Sequence, residues 1–263
     1  MFRNAKGVKR IGILHNVIPH EKKIFDNFAN KSFLKHNEGF VVLSDAVLKD
    51  LLSIRPNAKY LRIDHPVYNH FGKKLKKEEA LKKLKLSSNK KQLLFFGFIR
   101  EYKGLDILLN SLKNLPEDYE LIIAGEIYGS FKKYQDIIDS ANLNSRVHLF
   151  NKYIAHGEVA TYFSAADVCI LPYKGATQSG ITAIAHHFDV PIIATDVGGL
   201  KETVEHERTG LIVQPNEKEL KEAIELIFID ERLQKFSVAI GASKIENSWN
   251  NFAKKVIEFS NRI

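Results

Sequence analysis

From residue 92 onward, short apolar runs alternate with stretches whose apolar residues recur at helical spacing. The runs are QLLFFGFI (92–99), YELIIAG (119–125), RVHLF (146–150), DVCILPY (167–173), VPIIATD (190–196) and GLIVQP (210–215). Between them, Leu105, Leu108, Leu109 and Leu112 line one helical face, and Leu220, Ala223, Ile224 and Ile227 line another. Runs that are apolar throughout, rather than alternating, suit strands buried on both faces. Six such units in succession predict an α/β fold: a Rossmann-like doubly wound parallel sheet with helices on both sides.

The first 70 residues repeat the pattern on a smaller scale. IGIL reads as a strand ending in the polar pair His15-Asn16, residues 22–36 as a helix, GFVVLS (39–44) as a second strand and KYLRID (59–64) as a third. Ser44 is a candidate N-cap for the helix DAVLKDLLSI. HPVY then breaks the pattern. Three strands and two helices make a partial second domain. A last helix, from about Glu246, carries Trp249, Phe252, Val256 and Phe259 on one face and needs a surface to cover it. The expected domains are therefore 1–85, 86–245 and a closing helix over 246–263.

Composition narrows the class. Apolar residues make up 44% and charged residues 27%, a balance that can bury a core. No run of eighteen apolar residues occurs, so no transmembrane helix is expected. The early IGIL run is too short for a signal peptide. The single cysteine, Cys169, sits in the apolar run VCIL and reads as a buried, inert thiol of a reducing cytoplasm. The net charge is +8, with nine lysines against two glutamates in residues 73–91. That run reads as a solvated helix and linker. It also admits weak attraction to an anionic inner membrane surface. Lysines without interleaved aromatics argue against nucleic acid.

In an open parallel sheet, ligands bind where strands end at their carboxyl side. After the first run of the large domain comes Gly97-Phe98-Ile99-Arg100-Glu101-Tyr102-Lys103-Gly104. Arg100 and Lys103 are either surface cations or a grip for a diphosphate whose charge grows as a sugar leaves. After the fourth run, Ala176-Thr177-Gln178-Ser179-Gly180 feeds a helix, whose first N–H groups suit phosphate. Thr177 or Ser179 as a simple N-cap explains the same pattern. After the fifth run, Gly198 and Gly199 make a tight turn with Glu202 just beyond, and Gly125-Glu126 after the second is a weaker version. His15, Asn16, His20 and Glu21 form a polar cluster suited to sugar hydroxyls or proton transfer rather than to zinc. His186-His187 lies inside a helix and reads as structural. No Asp-x-Asp pair ends a strand and no Gly-x-Ser-x-Gly elbow is present.

FFGFIREYKGLDILL, LIIAG, ADVCILPY, VPIIATDVGGLKETV and ERTGLIV, in that order, resemble the donor-binding domain of family 4 glycosyltransferases. The resemblance spans about residues 90–230. HNVIPHE, HPVY and the ATQSG loop are similar to a bacterial branch of it. It implies a GT-B architecture of two Rossmann-like domains, with a C-terminal helix crossing back to the first. It also implies transfer of a hexose from a nucleotide diphosphate sugar, with retention and without a cofactor or bound metal. The acceptor would be a saccharide or a lipid-linked saccharide. By the same resemblance, Arg100 and Lys103 hold the donor diphosphate. His15 faces the sugar, Thr177, Gln178, Ser179 and Gly180 line the phosphates, and Tyr153 lies where the base is held.

Two departures stand out. The family's Glu-x7-Glu positions are Ala176 and Ile184 here, which leaves Glu202 as a candidate for the ribose. The family's first domain has about seven strands and about three are visible, so a truncated chain is expected, with self-association or a missing N-terminal segment as the consequence. Other readings are a non-catalytic nucleotide-sugar-binding fragment, and an epimerase or phosphorylase of the same fold.

Overall fold

The computed structural model describes residues 8–15, 17, 32–64, 66, 71–176, 179–246 and 248–263. The chain divides into two compact units, residues 1–66 with 246–263, and residues 67–245. Each holds one parallel sheet, and the fold is Rossmann-like α/β.

The first unit contains β1 (Ile11–Leu14), a helical segment α1 (32–36), β2 (Gly39–Val42), α2 (Asp45–Ile54) and β3 (Tyr60–Arg62). The three strands lie in the order β1-β2-β3, all parallel. Only the central β2 is buried along its whole length. Ser44 caps α2 as its position predicts, its hydroxyl accepting from the Val47 N–H at 3.2 Å. One sheet face packs Leu14, Leu34, Phe40 and Val42 against Val47 and Leu51 of α2. The other packs Val41 and Leu43 against Phe252 of the terminal helix, with Val256 beside them.

The second unit opens with α3 (Lys77–Leu84) and then runs β4 (Lys91–Phe96), α4 (Leu105–Leu112), β5 (Tyr119–Ala124), α5 (Lys132–Ser140), β6 (Val147–Phe150), α6 (His156–Ala165) and β7 (Val168–Leu171). It continues with α7 (Gly180–His187), β8 (Ile192–Thr195), α8 (Leu200–Thr203), β9 (Gly210–Val213), α9 (Glu217–Ile227) and α10 (Arg232–Glu246). The strand order is β6-β5-β4-β7-β8-β9, all parallel. This is the doubly wound order, with its reversal between β4 and β7, where a crevice opens for ligands. Strands β4, β5, β7 and β8 are buried almost throughout because helices cover both faces, and the polar pair buried among them, Gln92 and Glu120, is joined by a 2.9 Å hydrogen bond. Leu105, Leu108, Leu109 and Leu112 of α4 and Leu220, Ala223, Ile224 and Ile227 of α9 close one side. The other side holds Ala80 and Leu81 of α3, Val159 and Phe163 of α6, and Ile184 and Phe188 around α7.

The structure departs from the sequence expectations in three places. The lysine-rich stretch does not serve as a linker: Phe71, Ala80 and Leu81 are buried in the second unit, and Lys77 pairs with Asp167. The boundary therefore falls at residue 66 rather than 85. The run RVHLF forms an edge strand that is only half-buried, because among the described residues no strand pairs beyond it in the sheet. In α11 (Trp249–Arg262), Phe252 and Phe259 are buried, but Trp249 is 43% exposed at the first helical position, its ring edge-on to Phe252. No helix among the described residues is long and apolar enough to cross a membrane.

Candidate functional site

Two strands meet at the reversal of the sheet, and the chain leaves each in a tight turn. Past β4 the backbone stays paired with the chain after β5. The Gly97 N–H donates to Ala124 O at 2.8 Å, the Ile99 N–H to Glu126 O at 2.8 Å, and the Tyr128 N–H to Ile99 O at 3.0 Å. Gly125 makes this approach possible. Its φ is +147°, and a Cβ there would lie 2.2 Å from Gly97 O. Arg100 then leads into a single 3-10 turn, Glu101–Lys103, which Gly104 closes at φ +67°. A Cβ on Gly104 would stand 1.9 Å from Pro172 O, so this turn is held directly against the chain leaving β7. Two bonds fasten the turns: the Lys174 N–H donates to Tyr102 O at 2.7 Å, and the Lys174 ammonium pairs with Asp106 at 2.6 Å.

The result is a buried cation at the reversal. Lys103 is only 7% exposed. Its Nζ lies 3.0 Å from where a Cβ on Gly97 would be, and 5.5 Å from the centre of the Tyr173 ring. Burial, and then the neighbouring Arg100 cation, push its pKa down from 10.5 to about 8. The Tyr173 hydroxyl lies 3.2 Å from Ser179 Oγ. Burial raises the Tyr173 phenol, so it stays neutral. Ser179 is the N-cap of α7, its Oγ accepting from the Ile181 N–H at 3.3 Å. Ile181 Cδ1 reaches to 3.5 Å from the Gly97 position, which closes a ring of contacts through Gly97, Lys103, Tyr173, Ser179 and Ile181. Gly180, the first residue of α7, is exposed. Arg100 lies on the β5 side, its guanidinium 4.2 Å from the ring centre of Tyr128 and 5.7 Å from that of Phe98.

This network unites Gly97, Arg100, Lys103, Gly125 and Ser179. Other candidates stand further out on the same rim. Glu126 is exposed after β5, Tyr153 is 64% exposed after β6, and Gly198 and Gly199 turn the chain into α8, where Glu202 is half-buried. Thr195, at the end of β8, ties that side inward by donating to Tyr173 O at 2.6 Å. His15 belongs to the first unit, at the end of β1. Asn16, His20, Glu21, Thr177 and Gln178 lie outside the described residues. Ala176 and Ile184 both pack against the apolar core. Among the described residues, no three His, Cys, Asp or Glu side chains gather as a metal would require. Cys169 is fully buried and its thiol is pushed up to about 12 by burial, so it is no nucleophile. His186 is held down at about 4, first by burial and then by the Lys244 cation.

Sequence reasoning passed over Tyr173, Tyr128, Phe98 and the Lys174–Asp106 pair. Tyr173 was hidden at the end of an apolar run. Phe98 and Tyr128 carry a legible signal, aromatic residues just past a strand's carboxyl end, where burial is not expected.

The family model for Glycosyl transferases group 1 matches residues 76–258. A lipopolysaccharide core biosynthesis mannosyltransferase, LpsB of Rhizobium meliloti, is 28% identical over 213 residues, covering 74% of this chain and 59% of that protein. An uncharacterized glycosyltransferase of Methanocaldococcus jannaschii is 30% identical over 143 residues, 54% of this chain and 39% of that one. The chain thus spans about two-fifths to three-fifths of these relatives. Among solved structures, Anabaena HepE in complex with UDP superimposes with a TM-score of 0.81 at 16% identity, covering 96% of this chain and 72% of that one.

Proposed function

The chain belongs to the Glycosyl transferases group 1 family, and from that membership we propose that it transfers a hexose from a nucleoside diphosphate sugar to a saccharide or lipid-linked acceptor, with retention of configuration. One observation carries the reading: a buried lysine with an arginine three residues before it, at the reversal of a parallel sheet, near the N-terminus of α7. That arrangement suits a diphosphate. HepE was solved with UDP and with UDP-glucose, which supports the donor class.

In this mechanism Lys103 and Arg100 take up the charge that develops on the leaving diphosphate, so that no metal is needed. The bond from the sugar's anomeric carbon to the diphosphate oxygen breaks as the centre becomes oxocarbenium-like. The acceptor hydroxyl forms the new bond on the face that the diphosphate leaves, and its proton passes to a phosphate oxygen. The amides at the start of α7, with Thr177 and Gln178, contribute to the phosphate grip. Tyr153 contacts the base and Glu202 the ribose, in place of the second glutamate of the Glu-x7-Glu pair, whose position Ile184 holds. Ala176 and Ile184, apolar where that pair stands, favour a second reading, donor binding without transfer.

Calorimetry with UDP- and GDP-hexoses on wild type and on Arg100→Ala/Lys103→Ala tests the site. Loss of two charge-assisted contacts should weaken binding by about 3 kcal/mol, more than a hundredfold. Unchanged affinity would remove the phosphate role. Mass analysis of products separates a glycoside from a sugar phosphate, and NMR separates an isomer, which has the donor's mass, from no product.

A further inference from the structure

We propose that Tyr128 is a positioning residue for Arg100: its ring presses the guanidinium into place for the diphosphate, with Phe98 as a second wall. The inference rests on the diphosphate reading above and adds to it a residue with no part in that reading.

Tyr128 lies in the loop between β5 and α5. Its backbone is fixed on two sides: its N–H donates to Ile99 O at 3.0 Å, and the preceding Ile127 bridges to Ile99 and donates its N–H to Asn151 Oδ1 at 3.1 Å. The ring is not part of any core. It is 68% exposed, and the Phe98 ring, 47% exposed, stands edge-on to it at 6.4 Å and 73°. Two large exposed aromatic rings side by side contribute little to stability. The contact they do make is with a cation: Arg100 Cζ is 4.2 Å from the centre of Tyr128 and 5.7 Å from that of Phe98. At 4.2 Å the guanidinium is within cation–π range of the ring.

Arginine has a long side chain with many rotamers, and confining it in the free protein lowers the loss of freedom on binding. Arg100 is also the cation nearest in sequence to Lys103, and its charge contributes to the lowered pKa there. Letting Arg100 swing away would therefore weaken one half of a two-cation grip and leave the other intact.

The test uses the full chain, with UDP and GDP as probes and uridine and guanosine as their phosphate-free counterparts. Binding is followed by calorimetry and ligand-observed NMR for wild type, Tyr128→Phe, Tyr128→Leu, Arg100→Ala and Arg100→Ala/Tyr128→Leu. We expect Tyr128→Phe to keep wild-type affinity for the nucleoside diphosphate, because the ring face is retained. Tyr128→Leu should lose about two- to fivefold in diphosphate affinity, the order of one exposed cation–π contact, while nucleoside affinity stays the same. In the Arg100→Ala background the Leu substitution should have no further effect. The inference is overturned if Tyr128→Leu matches wild type, if nucleoside affinity falls by the same factor (a base-stacking ring), or if the loss persists without Arg100. If wild type binds neither diphosphate more tightly than its nucleoside, the diphosphate reading itself fails, and the role of Tyr128 with it.

Discussion

A lysine held at about 8 is a titrating group in the working range, and at Lys103 the cause is burial first and the Arg100 charge second. The sign of its effect on binding follows from linkage. A bound diphosphate favours the ammonium, so the lysine's pKa rises on binding and a proton is taken up above about pH 8. Affinity for UDP should be level between about pH 7, above the second ionisation of its terminal phosphate at about 6, and about pH 8, and fall toward tenfold per pH unit above that. At pH 9 the calorimetric enthalpy should vary with the ionisation enthalpy of the buffer. Lys103→Arg, which does not titrate in this range, should flatten the profile. A wild-type affinity that stays level to pH 9.5 would show that Lys103 does not meet the phosphate. At this scale the sequence was informative about residue type and place: Arg100 and Lys103 stand out as cations just past a strand. It held nothing about the depth of Lys103, because that depends on the chain leaving β7, whose Tyr173 is distant in sequence and adjacent in space.

Among elements, the central strands were legible because burial on both faces favours short, mostly apolar runs, within which Gln92 and Glu120 are exceptions. The edges were less so: β6 looks like the others in sequence, yet is half-exposed because, among the described residues, it has a neighbouring strand on one side only. The joint between β4 and β5 depends on a single backbone conformation. Gly125→Ala would place a methyl group 2.2 Å from Gly97 O at a φ of +147° that side chains rarely adopt. We expect a destabilisation of about 3 kcal/mol, read from the urea midpoint, together with weaker UDP binding as Gly97 shifts. A variant of wild-type stability would mean that the two rims separate without penalty.

Over the whole molecule, the terminal helix belongs with the first unit rather than with the second, whose sequence it follows. Phe252 is buried against Val41 and Leu43 of the first sheet. Phe252→Ala should cost about 3–4 kcal/mol and act on that unit. Hydrogen exchange should therefore speed up in Gly39–Val42 and leave the β4 and β5 amides unchanged. Equal acceleration in both sheets would show that the two units unfold as one. The division itself could not be read from composition, because a lysine-rich stretch looks like a linker whether or not its few apolar residues are buried. Phe71, Ala80 and Leu81 decide the matter by packing into the second unit.

What the sequence determined by itself is the alternation of strand and helix, the parallel sheet that follows, and the strand ends where polar and glycine residues collect. These depend on local periodicity and backbone preference, which each segment carries alone. Tertiary structure alone decided that the turns after β4 and β7 touch, that a lysine between them loses its water, and that an exposed tyrosine from the next loop faces an arginine. Those are contacts between segments dozens of residues apart, and they exist only once the strand order has brought the segments together.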